Sequence, residues 1–248
     1  MDSAQRTTAP TMSSDGTSAS KMMVQRPSAP LRVVLSILLV GVLTAPAYAK
    51  HKKKPHKTPT PVAGAFDYYV MSLSWSPEHC AEPAGSGDAL QCNSARKFGF
   101  VLHGLWPQFE KGFPQSCSKV PLSDATRDSM LDIMPSKKLV QHEWEKHGTC
   151  SGLTPDAYFA GARTAFTSVK IPALFQDPPN AFSTTVSKVE QGFSDANPAF
   201  HSDGIAVLCA GKFLQEVRVC LDKDLHPRAC GHDVKDHCKK GITVRPVK

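Results

Sequence analysis

Outside residues 31–44, this 248-residue chain lacks any apolar run that could cross a bilayer, where a helical span needs about 20 residues. It also lacks an internal repeat, which argues against solenoids and propellers. Net charge is missing where it would matter most. The total is +7, but residues 1–49 hold four Lys/Arg and two Asp/Glu, and Lys50, Lys52, Lys53, Lys54 and Lys57 add five positives. From Ala65 onward, 20 basic side chains meet 20 acidic ones. A formally neutral domain is not built to track along a long polyanion; a local cationic site suits short contacts.

The N-terminal residues read as an export signal. The 31–44 segment, LRVVLSILLVGVLT, is short for a span, is preceded by Arg26 and includes Arg32, and leads to Ala47-Tyr48-Ala49 before Lys50. That pattern predicts a signal peptide over 1–49 cleaved after Ala49, with periplasmic residence or secretion. The polar lead-in points to a start at Met22 or Met23; an uncleaved anchor is the alternative. Residues 50–64 form a basic Lys/Pro linker. Such a tract is either a solvated spacer or a contact for anionic surfaces, including RNA, lipopolysaccharide and membrane. Residues 65–248 suffice for one domain with a substantial core. Eight cysteines in an exported chain imply disulfides, and eight can pair in 105 ways.

The densest chemistry lies at 141–150, QHEWEKHGTC. At about 100° per residue, His142, Glu143, Lys146 and His147 share an arc of about 140°. Val140 and Trp144 point the other way and can anchor the helix in a core. Gly148 fits a C-cap, and Cys150 a covalent tether just beyond it. Upstream, the apolar run at 98–102 has strand character and leads to His103, placed near a strand end, with Gly104 where the backbone turns. Two histidines on opposite sides of a phosphodiester can cleave RNA without metal: one takes the 2′-OH proton, the other protonates the leaving 5′-oxygen. A lysine and a further histidine can neutralise the crowded phosphorane oxygens.

Other readings compete. A zincin pair is spaced i, i+4 on one helix face, whereas His142 and His147 are five apart with Lys146 between them. A solvated helix with a buried Trp144 is a second alternative, and a non-cleaving RNA-binding protein a third. His51 and His56 belong to the basic tract. His79, His201, His226, His232 and His237 read as surface or structural; the last two, near Cys230 and Cys238, are too loosely spaced for a metal knuckle.

FVLHGLWPQ at 100–108 and HEWEKHGTC at 142–150, with SLSWSPEHC at 72–80, resemble segments of the T2 ribonucleases, here a bacterial, exported member; the likeness spans about 65–240. The resemblance implies an endoribonuclease that cuts single-stranded RNA with low base specificity through 2′,3′-cyclic phosphates to 3′-phosphates. It would use neither metal nor cofactor, leave DNA alone, stay out of the membrane once its signal is cleaved, and act as a monomer. It matches His147 to the general base, His103 to the general acid and His142 to a phosphate-binding histidine. Glu143 and Lys146 match the pair that stabilises the transition state. Trp106 matches a base-stacking aromatic, while Gln108 stands where some members have an acidic base-recognition residue. It also implies the bridges Cys117–Cys150, Cys80–Cys92, Cys209–Cys238 and Cys220–Cys230. The implied fold is α+β, a single domain with a central antiparallel sheet flanked by helices. Sequence patterns place strands at 66–74, 205–210 and 213–221. Helices are expected over 121–134, after a Ser136 cap, after Thr154-Pro155, and over 184–195, with a turn at 178–180.

Overall fold

The computed structural model describes residues 61–83 and 85–247, all within one compact unit, Pro55–Lys248. The expected export signal and most of the expected basic linker lie outside the described residues. Among the described residues, six strands and six α-helices run in the order β1 (Tyr68–Trp75), α1 (Ser76–His79), α2 (Ala89–Cys92), β2 (Phe100–Gln108), α3 (Asp124–Asp128), α4 (Lys137–Lys146), α5 (Pro155–Ser168), β3 (Phe182–Thr184), α6 (Val186–Ala196), β4 (Ile205–Ala210), β5 (Phe213–Leu221) and β6 (Ile242–Val244). None of the described helices is long and apolar enough to cross a membrane.

The sheet order is β2-β1-β5-β6-β3, with β4 paired to β5. It is mixed, not wholly antiparallel: β6 meets β5 in parallel at Phe213↔Thr243, while the other strand pairs are antiparallel. β1 is central and buried on both faces. Tyr69, Met71, Leu73 and Trp75 enter the main core with Trp144, Tyr158 and Phe193. Tyr68 and Val70 face a smaller cluster with Ala206 and Val234. This follows the two-residue period of a strand.

Side-chain caps set the helix starts. Ser136 Oγ accepts from Leu139 N, Thr154 from Ala157 N and Thr185 from Lys188 N, each satisfying a donor that the first turn leaves open. Two expected helices are shorter. The expected 121–134 helix ends at Asp128; the following turns carry Met130, Ile133 and Met134 into the core, and Ile133 O is taken by Leu102 N of β2. The expected 184–195 helix gives up Thr184 to β3, and Thr185 is its cap.

Gly148 is not a C-cap. His147 holds that place, and Gly148 opens a tight turn, Gly148–Cys150. Its glycine is required by packing, since a Cβ there would run into the rings of Trp144 and Tyr158. All four expected disulfides are formed. Cys117–Cys150 ties the loop after β2 to the end of α4, helped by Ser116 N→Lys146 O at 2.8 Å and Cys117 N→Thr149 Oγ1 at 3.1 Å.

Candidate active site

His103 is not at a strand end, and the chain does not turn at Gly104: β2 continues through Gln108. The register shows why both expectations fail. Ser72 pairs with Gly104 and Leu73 with Leu102, so His103 is the extra residue of a β-bulge. A bulge re-aims side chains by one position. Leu102 and Leu105 both enter the main core despite their odd spacing. His103 and Trp106 correspondingly both reach the other side and line one cleft.

That cleft, about 300 Å³ in volume, gathers His103, Trp106 and Gln108 of β2, Phe113 of the loop after β2, His142, Glu143, Lys146 and His147 from the end of α4, and Arg218 of β5. Every residue picked from the sequence for catalysis or base contact is therefore in one place. A cavity of equal volume beside Cys80–Cys92 contains none of them. Trp106 is the hub. Its ring centroid lies 5.2 Å from those of both His103 and His147, edge-on to the first and stacked with the second. Its Nε1 donates to Glu143 Oε2 at 2.6 Å. The Arg218 guanidinium lies 5.0 Å from the indole centroid.

Charge divides the two histidines. His103 Nε2 faces Glu143 Oε1 at 3.6 Å, and its Nδ1 faces Glu216 Oε2 at 3.7 Å and Ser74 Oγ at 3.3 Å. Burial pulls its imidazole down, but the Glu216 and Glu143 carboxylates outweigh that, so the ring holds its proton more tightly than free histidine. His147 is the opposite case. Burial, with the Lys146, His142 and His103 charges, lowers it to about 3 and keeps it neutral. Among the described residues its buried Nδ1 has no hydrogen-bond partner. Exposed His142 is lowered by partial burial and Lys146. Glu143, buried against the sheet, is pushed up to about 7 by desolvation despite His103 and Trp106. The two rings in one cleft thus have opposite preferences for a proton.

A family model described as the ribonuclease T2 family matches residues 66–230. The chain belongs to this family. It is a T2-type endoribonuclease. A ribonuclease of Aeromonas hydrophila is 38% identical over 193 residues, covering 76% of this chain and 84% of that protein. Ribonuclease I of Escherichia coli K12 is 24% identical over 206 residues, covering 65% and 77%. The fold matches ribonuclease MC1 from bitter gourd seeds with TM-score 0.57 at 22% identity, covering 71% of this chain and 99% of that one. A ribonuclease-related protein of Calystegia sepium matches with TM-score 0.61, also at 22% identity, covering 74% and 98%.

For this T2-type enzyme, sequence reasoning missed Ser74, Phe113, Glu216 and Arg218. The last two had a readable signal: they alternate with Val217 and Val219 in a strand, which places two charges on the face opposite the core. What that face meets was not readable, because β5 pairs with β1 across 140 or so residues of chain. Among the described residues, the His/Cys/Asp/Glu group close enough to share an ion is Asp222, Asp224 and His226, beyond β5, and none of the three lines the cleft.

Proposed function

We propose that the enzyme cleaves single-stranded RNA, with little base preference, by two-histidine transphosphorylation. The observation that carries this reading is the pair of imidazoles flanking Trp106 in one cleft, with opposite preferences for a proton. Neutral His147 takes the proton of the ribose 2′-OH, the 2′-oxygen attacks phosphorus, and the P–O5′ bond breaks as His103 protonates the leaving oxygen. In the second step His103 takes a proton from water, whose oxygen attacks the cyclic phosphate. The P–O2′ bond then breaks with a proton from His147, leaving a 3′-phosphate. Lys146 and His142 line the cleft where the phosphate's non-bridging oxygens would lie, and Glu143 is held beside His103 by Trp106. DNA, lacking the 2′-OH, is not a substrate.

Trp106 and Gln108 line the same cleft and are our base-contacting residues, joined by Phe113, whose ring is 48% exposed at the rim. The Trp106 N–H is committed to Glu143, so its contact with a base would use ring atoms alone. We further propose that residues 1–49 direct export to the periplasm or medium, with cleavage after Ala49, and that the enzyme acts as a monomer. The lysines of the 50–57 tract would hold it at an anionic surface. Deleting 50–61 should reduce surface retention and leave dinucleotide turnover intact.

The deciding experiment is cleavage of ApG by the disulfide-bonded protein in EDTA, at pH 5 and pH 8, beside His103→Ala and His147→Ala. A 2′,3′-cyclic phosphate formed in EDTA, and lost in both variants, is the expected result. Near-normal turnover by His147→Ala, or activity only on adding zinc, would overturn the mechanism.

A further inference from the structure

Glu216 is a buried carboxylate in a strand whose alternate residues, Val217 and Val219, fill the main core. Burying a carboxylate is costly unless it is paired. Arg218, two residues on and on the same face, supplies one partner: its Nε donates to Glu216 Oε1 at 2.5 Å. The other carboxylate oxygen, Oε2, is turned to His103 Nδ1 at 3.7 Å. Cross-strand pairing brings this about, since Ser74 of β1 lies directly opposite Glu216, and Ser74 Oγ reaches the same ring nitrogen at 3.3 Å. His103, displaced by its bulge, therefore lands with Nδ1 against the Glu216 carboxylate and the Ser74 hydroxyl, and with Nε2 toward Glu143 in the cleft.

We propose that Glu216, held by Arg218, is a positioning residue that fixes His103 with Nδ1–H toward the sheet and Nε2 as the proton-transferring atom. The proposal rests on the two-histidine reading and extends it to both steps. After His103 gives up the Nε2 proton, the neutral ring left behind is the Nδ1–H tautomer, whose bare Nε2 can then take the proton from water. A carboxylate beyond the second nitrogen sets the tautomer of a working histidine in this way.

The groups facing His103 come from each neighbouring element: Glu216 and Arg218 of β5, Glu143 and His142 of α4, His147 at its end, and uncharged Ser74 and Trp106. Arg218 disfavours the charged His103 imidazole, while the two carboxylates favour it. Removing the Glu216 charge while keeping its shape should therefore make His103 release its proton at lower pH.

Two measurements on the full disulfide-bonded chain test this. In the wild type, ring 15N shifts of His103 should show the Nδ1–H form once the ring is neutral. With ApG, the basic limb of kcat/KM against pH should move down in Glu216→Gln, making the loss about tenfold greater at pH 8 than at pH 5, as about one unit of pKa requires. An Nε2–H tautomer in the wild type, or a Glu216→Gln profile of unaltered shape, would overturn the proposal. The tautomer result needs no variant, so poor folding of Glu216→Gln leaves the test intact. His103→Ala in the same assay separates the two readings. Turnover surviving that change defeats the mechanism, whereas His103-dependent turnover with an unmoved basic limb defeats the role of Glu216 alone.

Discussion

Trp106 Nε1 donates to Glu143 Oε2 at 2.6 Å directly against Gly104, where a Cβ would collide with both atoms. The hydrogen bond joins the bulged strand to α4. It sets the indole that both histidine rings touch. Gly104 is thus a glycine because the strand must approach this pair closely, and no turn is involved.

Gly104→Ala should separate Trp106 from Glu143 and lower kcat/KM for a dinucleotide by about 100-fold. Overpacking of this kind costs about 1–3 kcal/mol, which a four-disulfide domain should survive. Turnover and a thermal melt on the same sample check this. Wild-type turnover would mean the Trp106–Glu143 bond is dispensable.

Cys150→Ser should reduce activity more than Cys80→Ser. Cys150 lies three residues beyond His147 and is fully buried, and its bridge closes 33 residues against 12 for Cys80–Cys92. Chain entropy alone assigns the two bridges about 4 and about 3 kcal/mol. The larger difference should appear in turnover, because His147 loses its tether. Equal losses of activity would count against the tether.

Stability should depend on pH through His147 in a defined window. Its value is lowered from 6.5 to about 3. Below about pH 6.5 the unfolded chain takes up a proton that the native state refuses, so the stability contributed by keeping His147 neutral is present above pH 6.5 and is lost towards pH 3. Glu143, raised from 4.5 to about 7, works in the opposite sense and loses its contribution as pH rises through that range. Replacing His147 by Ala removes the first effect only. The gap in urea stability between wild type and His147→Ala should therefore shrink between pH 6.5 and pH 3. A gap independent of pH would rule out a neutral buried His147.

Ser136→Ala should lower stability by about 1 kcal/mol, the usual worth of an N-cap. Ser136 Oγ accepts from Leu139 N at 3.3 Å and donates to Asp88 Oδ1 at 2.9 Å, and Asp88 in turn binds His79. Urea titration gives the loss directly, and an unchanged midpoint would show that Asp88 can replace the cap.

The parts of this enzyme legible in its residues are those governed by local rules. Ser136 and Thr154 announce their helices because a side-chain oxygen satisfies an open N–H within three residues. Strands β4 and β5 have the bounds their patterns predict. The 3.6-residue period buried Val140 and Trp144 and left His142 exposed. The disulfide pairing came from family resemblance, not from spacing.

What depends on distant partners was not legible. The bulge that turns His103 into the cleft exists only in the register of β2 against β1. Glu216 meets His103 only because β5 lies beside β1. The opposite proton preferences of His103 and His147 arise from burial and from carboxylates supplied by other elements. The sequence alone determined which residues could do the chemistry. Tertiary structure decided which of them holds the proton, because a pKa is set by desolvation and neighbouring charge, and both appear only when the chain has closed around the site.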